Sequence, residues 1–311
     1  MLIRCYFTTL KQTADIIKEH RIMKKTIVLS FALIISLMLA ACSKPAAQQA
    51  AAPAQTAAPE TAAQKQETAA PEAETSAQKF IMGIDPEYPP FSYLGDDGEY
   101  TGFDVEICKA ACEKLGWEFE VFGVNWDDKL IQLDAGECDC VWSGMTILDS
   151  MKEAGYVLSK PYYDNTQVLL VKKDSGFASS GDLKDKVVAV QLGTSGESLL
   201  NGDLADLAAT FSEVITCDSF LKCFTELDGG AVDAVFVDLP VAASYVSGKE
   251  DDYTIINENL GAEQYGIAFR SGDQALCDSM EGAVAELVAE GTYAKIAENY
   301  PDIVNNLVFI K

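Results

Sequence analysis

The sequence predicts an α/β fold of two similar lobes, carried on a long polar tether behind a short apolar leader. Three observations predict it. Strand-like and helix-like segments alternate in two cycles, the rhythm of parallel sheets covered by helices. Polar clusters stand just past the strand ends of both cycles, where open parallel sheets bind ligands. A stretch of Ala, Gln, Pro, Thr and Glu separates these cycles from an apolar run near the N-terminus.

The leader comes first. Lys24 and Lys25 precede an apolar run from Ile27 to Ala41 that is broken only by Ser30 and Ser36. It is too short to span a bilayer comfortably and suits the core of a signal peptide. It ends in Leu39-Ala40-Ala41-Cys42, which resembles the lipobox of bacterial lipoproteins, whose cysteine receives the lipid. A short buried helix with an incidental cysteine is the alternative. The reading predicts a non-native extension over 1–22 with Met23 as the start, a signal peptide over 23–41, and a lipid anchor (palmitate) on Cys42. Residues 42–78 then form a disordered tether, since nothing aromatic or branched and apolar in Ser43 to Gln78 offsets the entropy of ordering.

Composition narrows the chemistry. The 311 residues include 23 Lys and Arg against 48 Asp and Glu, and a formal charge of -25 repels nucleic acid and anionic headgroups. His20 is the only histidine and precedes the expected start, so imidazole-dependent triads and zinc sites drop out. Behind Cys42 stand Cys108, Cys112, Cys138, Cys140, Cys217, Cys223 and Cys277, with no CxxC pair. They read as small buried hydrophobes, not as a metal site. Cys217 with Cys223 is the pairing to expect if one forms.

Within the folded part, Phe80 to Asp85 reads as a strand that runs into a Tyr88-Pro89-Pro90-Phe91 loop. Apolar residues at Phe103, Val105, Ile107, Ala110, Ala111 and Leu115 predict a helix stopped at Gly116. Phe119 to Val124 is the next strand, Asp127 to Ala135 a helix ended by Gly136, and Cys140 to Trp142 a strand entering Ser143-Gly144-Met145-Thr146. The second cycle has a strand at Val187 to Gln191, a helix opened by Gly193-Thr194-Ser195-Gly196-Glu197, a helix at Leu221 to Leu227 and a strand from Ala231 to Asp238. Val168 to Val171 and Gly266 to Phe269 are short apolar strands placed where the chain passes between lobes, which predicts a two-strand hinge. If both cross, the last stretch returns to the first lobe, a return that pattern alone does not require; lobe 1 is then 79–168 with 269–311, and lobe 2 is 169–268.

These stretches resemble bacterial solute-binding protein family 3, the periplasmic-type amino-acid-binding proteins, over about Lys79 to Lys311. The resemblance rests on Gly83-Ile84-Asp85-Pro86 with Tyr88 to Phe91, Gly102 to Glu106, Trp126-Asp127, Gly136 to Asp139, Ser143 to Ile147, Ser159 to Tyr163, Gln191 to Ser195, and Gly230 to Val235 with Asp238, in that order. It implies a type II periplasmic-binding-protein-like clamp. It also implies that Tyr88, Phe91 and Trp126 wall the ligand with rigid aromatic faces, and that Asp85 meets the ligand's side chain. Ser143, Gly144 and Thr146 on lobe 1 and Thr194 and Ser195 on lobe 2 would hold its amino and carboxylate groups, and Asp238 would pair with its ammonium. Ser and Thr at these places also serve as plain helix caps. The family's usual carboxylate-gripping arginine is missing: gap-free spacing puts Met151 there, and a shift of one brings Lys152, which supplies charge without the planar fork.

The implied protein is a monomeric lipoprotein on the outer face of the cell membrane. It hands a small polar solute, amino-acid-like, to an ABC permease, with no enzymatic step, cofactor or metal. A dehydratase of prephenate or arogenate type on the same fold, or a ligand-sensing lipoprotein serving a receptor, are the competing readings.

Overall fold

The computed structural model describes residues 77–310. The extension over 1–22, the signal peptide over 23–41, Cys42 and the tether as far as residue 76 lie outside the described residues.

In chain order the first lobe opens with β1 (Lys79–Ile84) and a small three-stranded sheet of β2 (Glu87–Tyr88), β3 (Ser92–Leu94) and β4 (Tyr100–Thr101). It continues with α1 (Phe103–Leu115), β5 (Glu118–Gly123), α2 (Lys129–Ala135), β6 (Cys140–Thr146), α3 (Asp149–Glu153) and β7 (Val157–Leu158). Then come β8 (Tyr163–Lys172), β9 (Val187–Gln191), α4 (Ser195–Asn201), α5 (Ala205–Ala208), β10 (Glu213–Cys217) and α6 (Phe220–Gly229). The chain ends through β11 (Ala234–Asp238), α7 (Leu239–Val246), β12 (Tyr253–Ile256), β13 (Ala262–Phe269), α8 (Gln274–Glu290) and α9 (Thr292–Ala297).

The sheet order is β10-β9-β11-β8-β13-β6-β1-β5. The β5-β1-β6 and β10-β9-β11 groups are parallel, and β13 and β8 join them antiparallel. Strands buried on both faces read as unbroken apolar runs, and all five residues of β11 are buried. α1 ends where its sequence signal says, at Gly116, which takes the left-handed conformation (φ 69°). Beneath α1 and α8, Phe80, Ile107, Ala111, Met280 and Leu287 form one face of the first lobe's core. Lys114 fixes α1 to α8 through Glu290 at 2.8 Å, so the last stretch of chain packs back on the first lobe. In the second lobe, Leu169, Val171, Val188, Val190 and Phe236 pack on one face, and Val168, Leu170, Val235 and Val237 on the other.

The hinge lies slightly earlier in each strand than the apolar pattern suggests. Tyr163–Thr166 of β8 pairs antiparallel with Ala262–Tyr265 of β13. Val168–Val171 belongs to the interior of the second sheet, between β11 and β12. Pattern reasoning slips here because the interior stretch is buried throughout, whereas Tyr163 to Thr166 alternates buried and half-buried residues. The pairing of Cys217 with Cys223 is also corrected: all seven described cysteines are buried and free.

Candidate functional site

A cavity of about 130 Å³ opens between the lobes at the carboxyl ends of β6, β9 and β11. Four devices position its lining. Tyr88, on β2, faces Trp126 with nearly parallel rings, centroids 6.5 Å apart and 10° between planes. Trp126 starts a 3₁₀ turn, Trp126–Asp128, whose first N–H groups are capped when Asn125 Oδ1 accepts from Asp127 N at 3.3 Å. Gly144, near the end of β6, has φ 53° and donates its N–H to Asp104 Oδ2 at 2.8 Å. Tyr162 donates to the same oxygen at 2.6 Å. Burial, partly offset by these bonds, raises the Asp104 carboxyl to about 7.

On the second lobe Thr194 caps α4, accepting from Glu197 N at 3.2 Å and donating to Gln191 O at 2.7 Å. Asp238, the last residue of β11, is buried. Its Oδ1 accepts from Asn165 Nδ2 (2.6 Å), Tyr265 OH (2.7 Å) and Gln167 Nε2 (2.8 Å). Glu263 takes a second bond from both amides, at 2.6 and 2.8 Å. Burial first, and the Glu263 carboxylate second, push the Asp238 carboxyl well above its usual range. A cation delivered to this point would relieve that penalty.

Of the residues expected from the sequence, the structure brings Tyr88, Trp126, Gly144, Thr146, Thr194, Ser195 and Asp238 to one cavity. It does not bring the others to the lining. Phe91 is fully buried behind Tyr88, its ring 5.7 Å away, and meets Tyr163 and Tyr265 edge-on. Ser143 is buried, accepts from Asp85 N at 3.0 Å and lies 2.5 Å from Ser92 Oγ, so its hydroxyl braces the loop. Asp85 is closed off by Gln191 Nε2 at 2.7 Å and by Glu87 N at 2.9 Å. Lys152 is corrected most plainly: its exposed side chain pairs with exposed Asp149 at 3.0 Å, one helical turn away, because α3 turns that face outward and Met151 inward.

Sequence reasoning missed Lys129. Its ammonium donates to Gly193 O at 2.7 Å and Trp126 O at 2.9 Å and lies 4.7 Å from the Trp126 ring centroid. Burial lowers it to about 8, against the attraction of Asp127, Asp85 and Glu197. The signal was available: residues three apart on a helical turn share a face, and Lys129 stands three beyond Trp126. Tyr265, Asn165, Gln167 and Glu263 were missed too: the β8–β13 register sets Asn165 opposite Glu263, and the β8–β11 register sets Gln167 opposite Asp238.

Comparison with known proteins places this geometry. The profile of the bacterial extracellular solute-binding proteins, family 3, matches residues 80–302. The L-cystine-binding protein TcyJ of Escherichia coli K12 is 32% identical over 222 residues, 71% of this chain and 81% of that one. A substrate-binding protein of an ABC uptake transporter from Streptococcus pneumoniae, solved with bound histidine, superposes with a TM-score of 0.68 at 26% identity, covering 71% of this chain and 92% of that one. The ancestral amino acid-binding protein AncCDT-1, a precursor of cyclohexadienyl dehydratase, superposes with a TM-score of 0.64 at 31% identity, covering 71% and 95%. With the profile matched over most of its length, this chain belongs to the bacterial extracellular solute-binding proteins, family 3.

Proposed function

We propose that this protein is the extracytoplasmic substrate-binding component of an ABC importer, capturing an amino acid or related amine by closing two lobes around it. One observation carries the reading: a buried carboxylate, Asp238, ends a strand of one lobe beside a cavity that the aromatic rings of the other lobe wall in. The ligand's ammonium would pair with Asp238 while Tyr88 and Trp126 flank its body. Closure follows from contacts made on both lobes at once, because a ligand shifts a conformational equilibrium only by its differential affinity for the two states. A lipid on Cys42 and the tether behind it would hold the clamp, as a monomer, at the outer face of the membrane and keep its concentration high beside the permease. No bond is made or broken.

The deciding experiment is calorimetry and thermal shift with the twenty L-amino acids, L-cystine and polyamines, on wild type and Asp238→Asn. Wild type should gain stability with at least one amino acid. Asp238→Asn keeps the hydrogen-bond acceptor but cannot ionise, and should weaken that ligand by about thirtyfold or more. Unchanged affinity would reject the assignment. AncCDT-1 shows that an amino-acid-binding clamp of this fold has stood at the start of a dehydratase lineage. Conversion of prephenate or arogenate by purified protein would therefore replace capture with catalysis.

A further inference from the structure

The cavity lining holds one carboxylate, Asp238, and one side-chain cation, Lys129. The two stand on opposite lobes, and the remaining lining is aromatic, aliphatic, hydroxyl or backbone. An ammonium has three N–H donors. Lys129 gives one to Trp126 O and one to Gly193 O, and no third acceptor is found for it among the described residues. The side chain is held in place by these bonds and by the Trp126 face, so its ammonium is a fixture of the cavity and not a mobile surface charge. Lys152, the other lysine expected at the site, is out of reach at the surface.

Resting on the proposed amino-acid capture, we infer that Lys129 is the specificity-determining cation of this site: it receives the ligand's carboxylate and excludes ligands with a second positive charge. The ligand is then a zwitterion whose side chain is uncharged, its ammonium at Asp238 and its carboxylate at Lys129. Two further features agree with this. The space of about 130 Å³ is below the range of about 300–1,000 Å³ usual for ligand pockets, so a long side chain has no room while Lys129 occupies its seat. Asp85, a further carboxylate close enough to attract Lys129, is buried, bonded to Gln191 and absent from the cavity lining.

The test uses the mature full-length chain, titrated with L-serine, L-glutamine, L-cystine, L-arginine, L-lysine and, for the tightest neutral ligand, the amine that lacks its carboxylate. In wild type the tightest ligand should be neutral, and arginine and lysine weaker by about tenfold or more. Lys129→Gln keeps an N–H donor for the two carbonyls while removing the charge. It should lose about thirtyfold for the neutral amino acid, leave the decarboxylated amine unchanged, and narrow the gap to arginine. A purely structural role at the lobe junction would instead weaken amino acid and amine alike, and that result overturns the inference. So does wild type binding arginine or lysine as tightly as any neutral ligand, a result that needs no variant and stands even if Lys129→Gln does not fold. If no amino acid binds wild type at all, the proposed function falls and this inference with it; if one binds but Lys129→Gln changes nothing, only the inference falls.

Discussion

Replacing Gly193 with alanine should hold the clamp open. Gly193 has φ 73°, and a Cβ built on it would lie 2.6 Å from Asp127 Cα and 3.1 Å from Asp127 N and Oδ1, all on the opposite lobe. Ordinary contact begins at 3.4 Å, so the two backbones must part by about 0.8 Å at this point. The same movement carries Gly193 O from 2.7 Å to about 3.5 Å from Lys129 Nζ, beyond hydrogen-bonding range. A hydrogen bond to a charged group is worth about 1.5–3 kcal/mol, which converts to about ten- to a hundredfold in ligand affinity. The left-handed backbone adds about 1–2 kcal/mol of strain for a residue with a Cβ, but open and closed forms bear it equally. It should appear as a melting temperature lower by about 2–4 °C for each kcal/mol, not as lost affinity. Gly230 supplies the control, with the same φ of 73° and nothing within 4 Å of its Cβ position. Calorimetric titration of both variants with the amino acid found by screening, beside their melting curves, separates strain from closure. Equal affinities for Gly193→Ala and Gly230→Ala would show that the lobes do not need to meet at this glycine.

Two other changes test the supports of the site. Asp104→Asn should flatten the pH dependence of stability. The folded carboxyl titrates near 7 and its ordinary value is 3.8, so between those pH values the folded state holds a proton that the unfolded state releases. Its contribution is complete below about 4 and is lost as pH rises through 7, with a ceiling of about 4 kcal/mol; urea unfolding at pH 4.5, 6 and 8 measures it, and parallel curves for wild type and variant would refute the account. Lys152→Ala should leave affinity unchanged in calorimetry, because the pair with Asp149 is exposed and such pairs are worth less than about 1 kcal/mol; a tenfold loss would mean that Lys152 swings into the cleft when ligand arrives.

How far these features can be read from the sequence depends on how local their causes are. Helix α1 was legible to the residue, because its apolar spacing and Gly116 both act within one or two turns. β9 was equally legible, as an apolar run bounded by Asp185-Lys186 and Leu192-Gly193. β10 and β12 were missed: Glu213–Cys217 lies at the sheet edge and Tyr253–Ile256 pairs only with β8, so neither shows a continuous buried run. At the site, Asp238, Thr194 and Gly144 were expected from the family resemblance, and the structure places them at or near a strand end or helix start beside the cavity. Lys152 was a wrong expectation because counting from Thr146 cannot say which face of α3 turns inward, and Lys129 was overlooked because its neighbour across the cleft, Gly193, is 64 positions away.

Asp238, the carboxylate proposed to meet the ligand, is bonded directly to the hinge side chains. Asn165 lies in the paired stretch of β8, directly opposite Glu263 on β13, and its amide is divided between Asp238 and Glu263. The Gln167 amide is divided in the same way. Turning either amide round would set its oxygen against two carboxyl groups, so the donors are fixed toward the acidic pair and the carbonyl oxygens Asn165 Oδ1 and Gln167 Oε1 are left buried without partners. Burial and the neighbouring Glu263 push the Asp238 carboxyl well above its usual range. On the proposed function, an ammonium arriving there would supply the missing positive charge, favour the ionised carboxylate and strengthen its bonds from the hinge amides, since a charged acceptor binds N–H groups more tightly than a neutral one. Shape alone does not do this: a molecule that fills the cavity without a cation leaves the acidic pair uncompensated. On the proposed function, the energy that favours closure would enter at the same carboxylate that selects the ligand's charge, and it would reach the hinge through one layer of side chains.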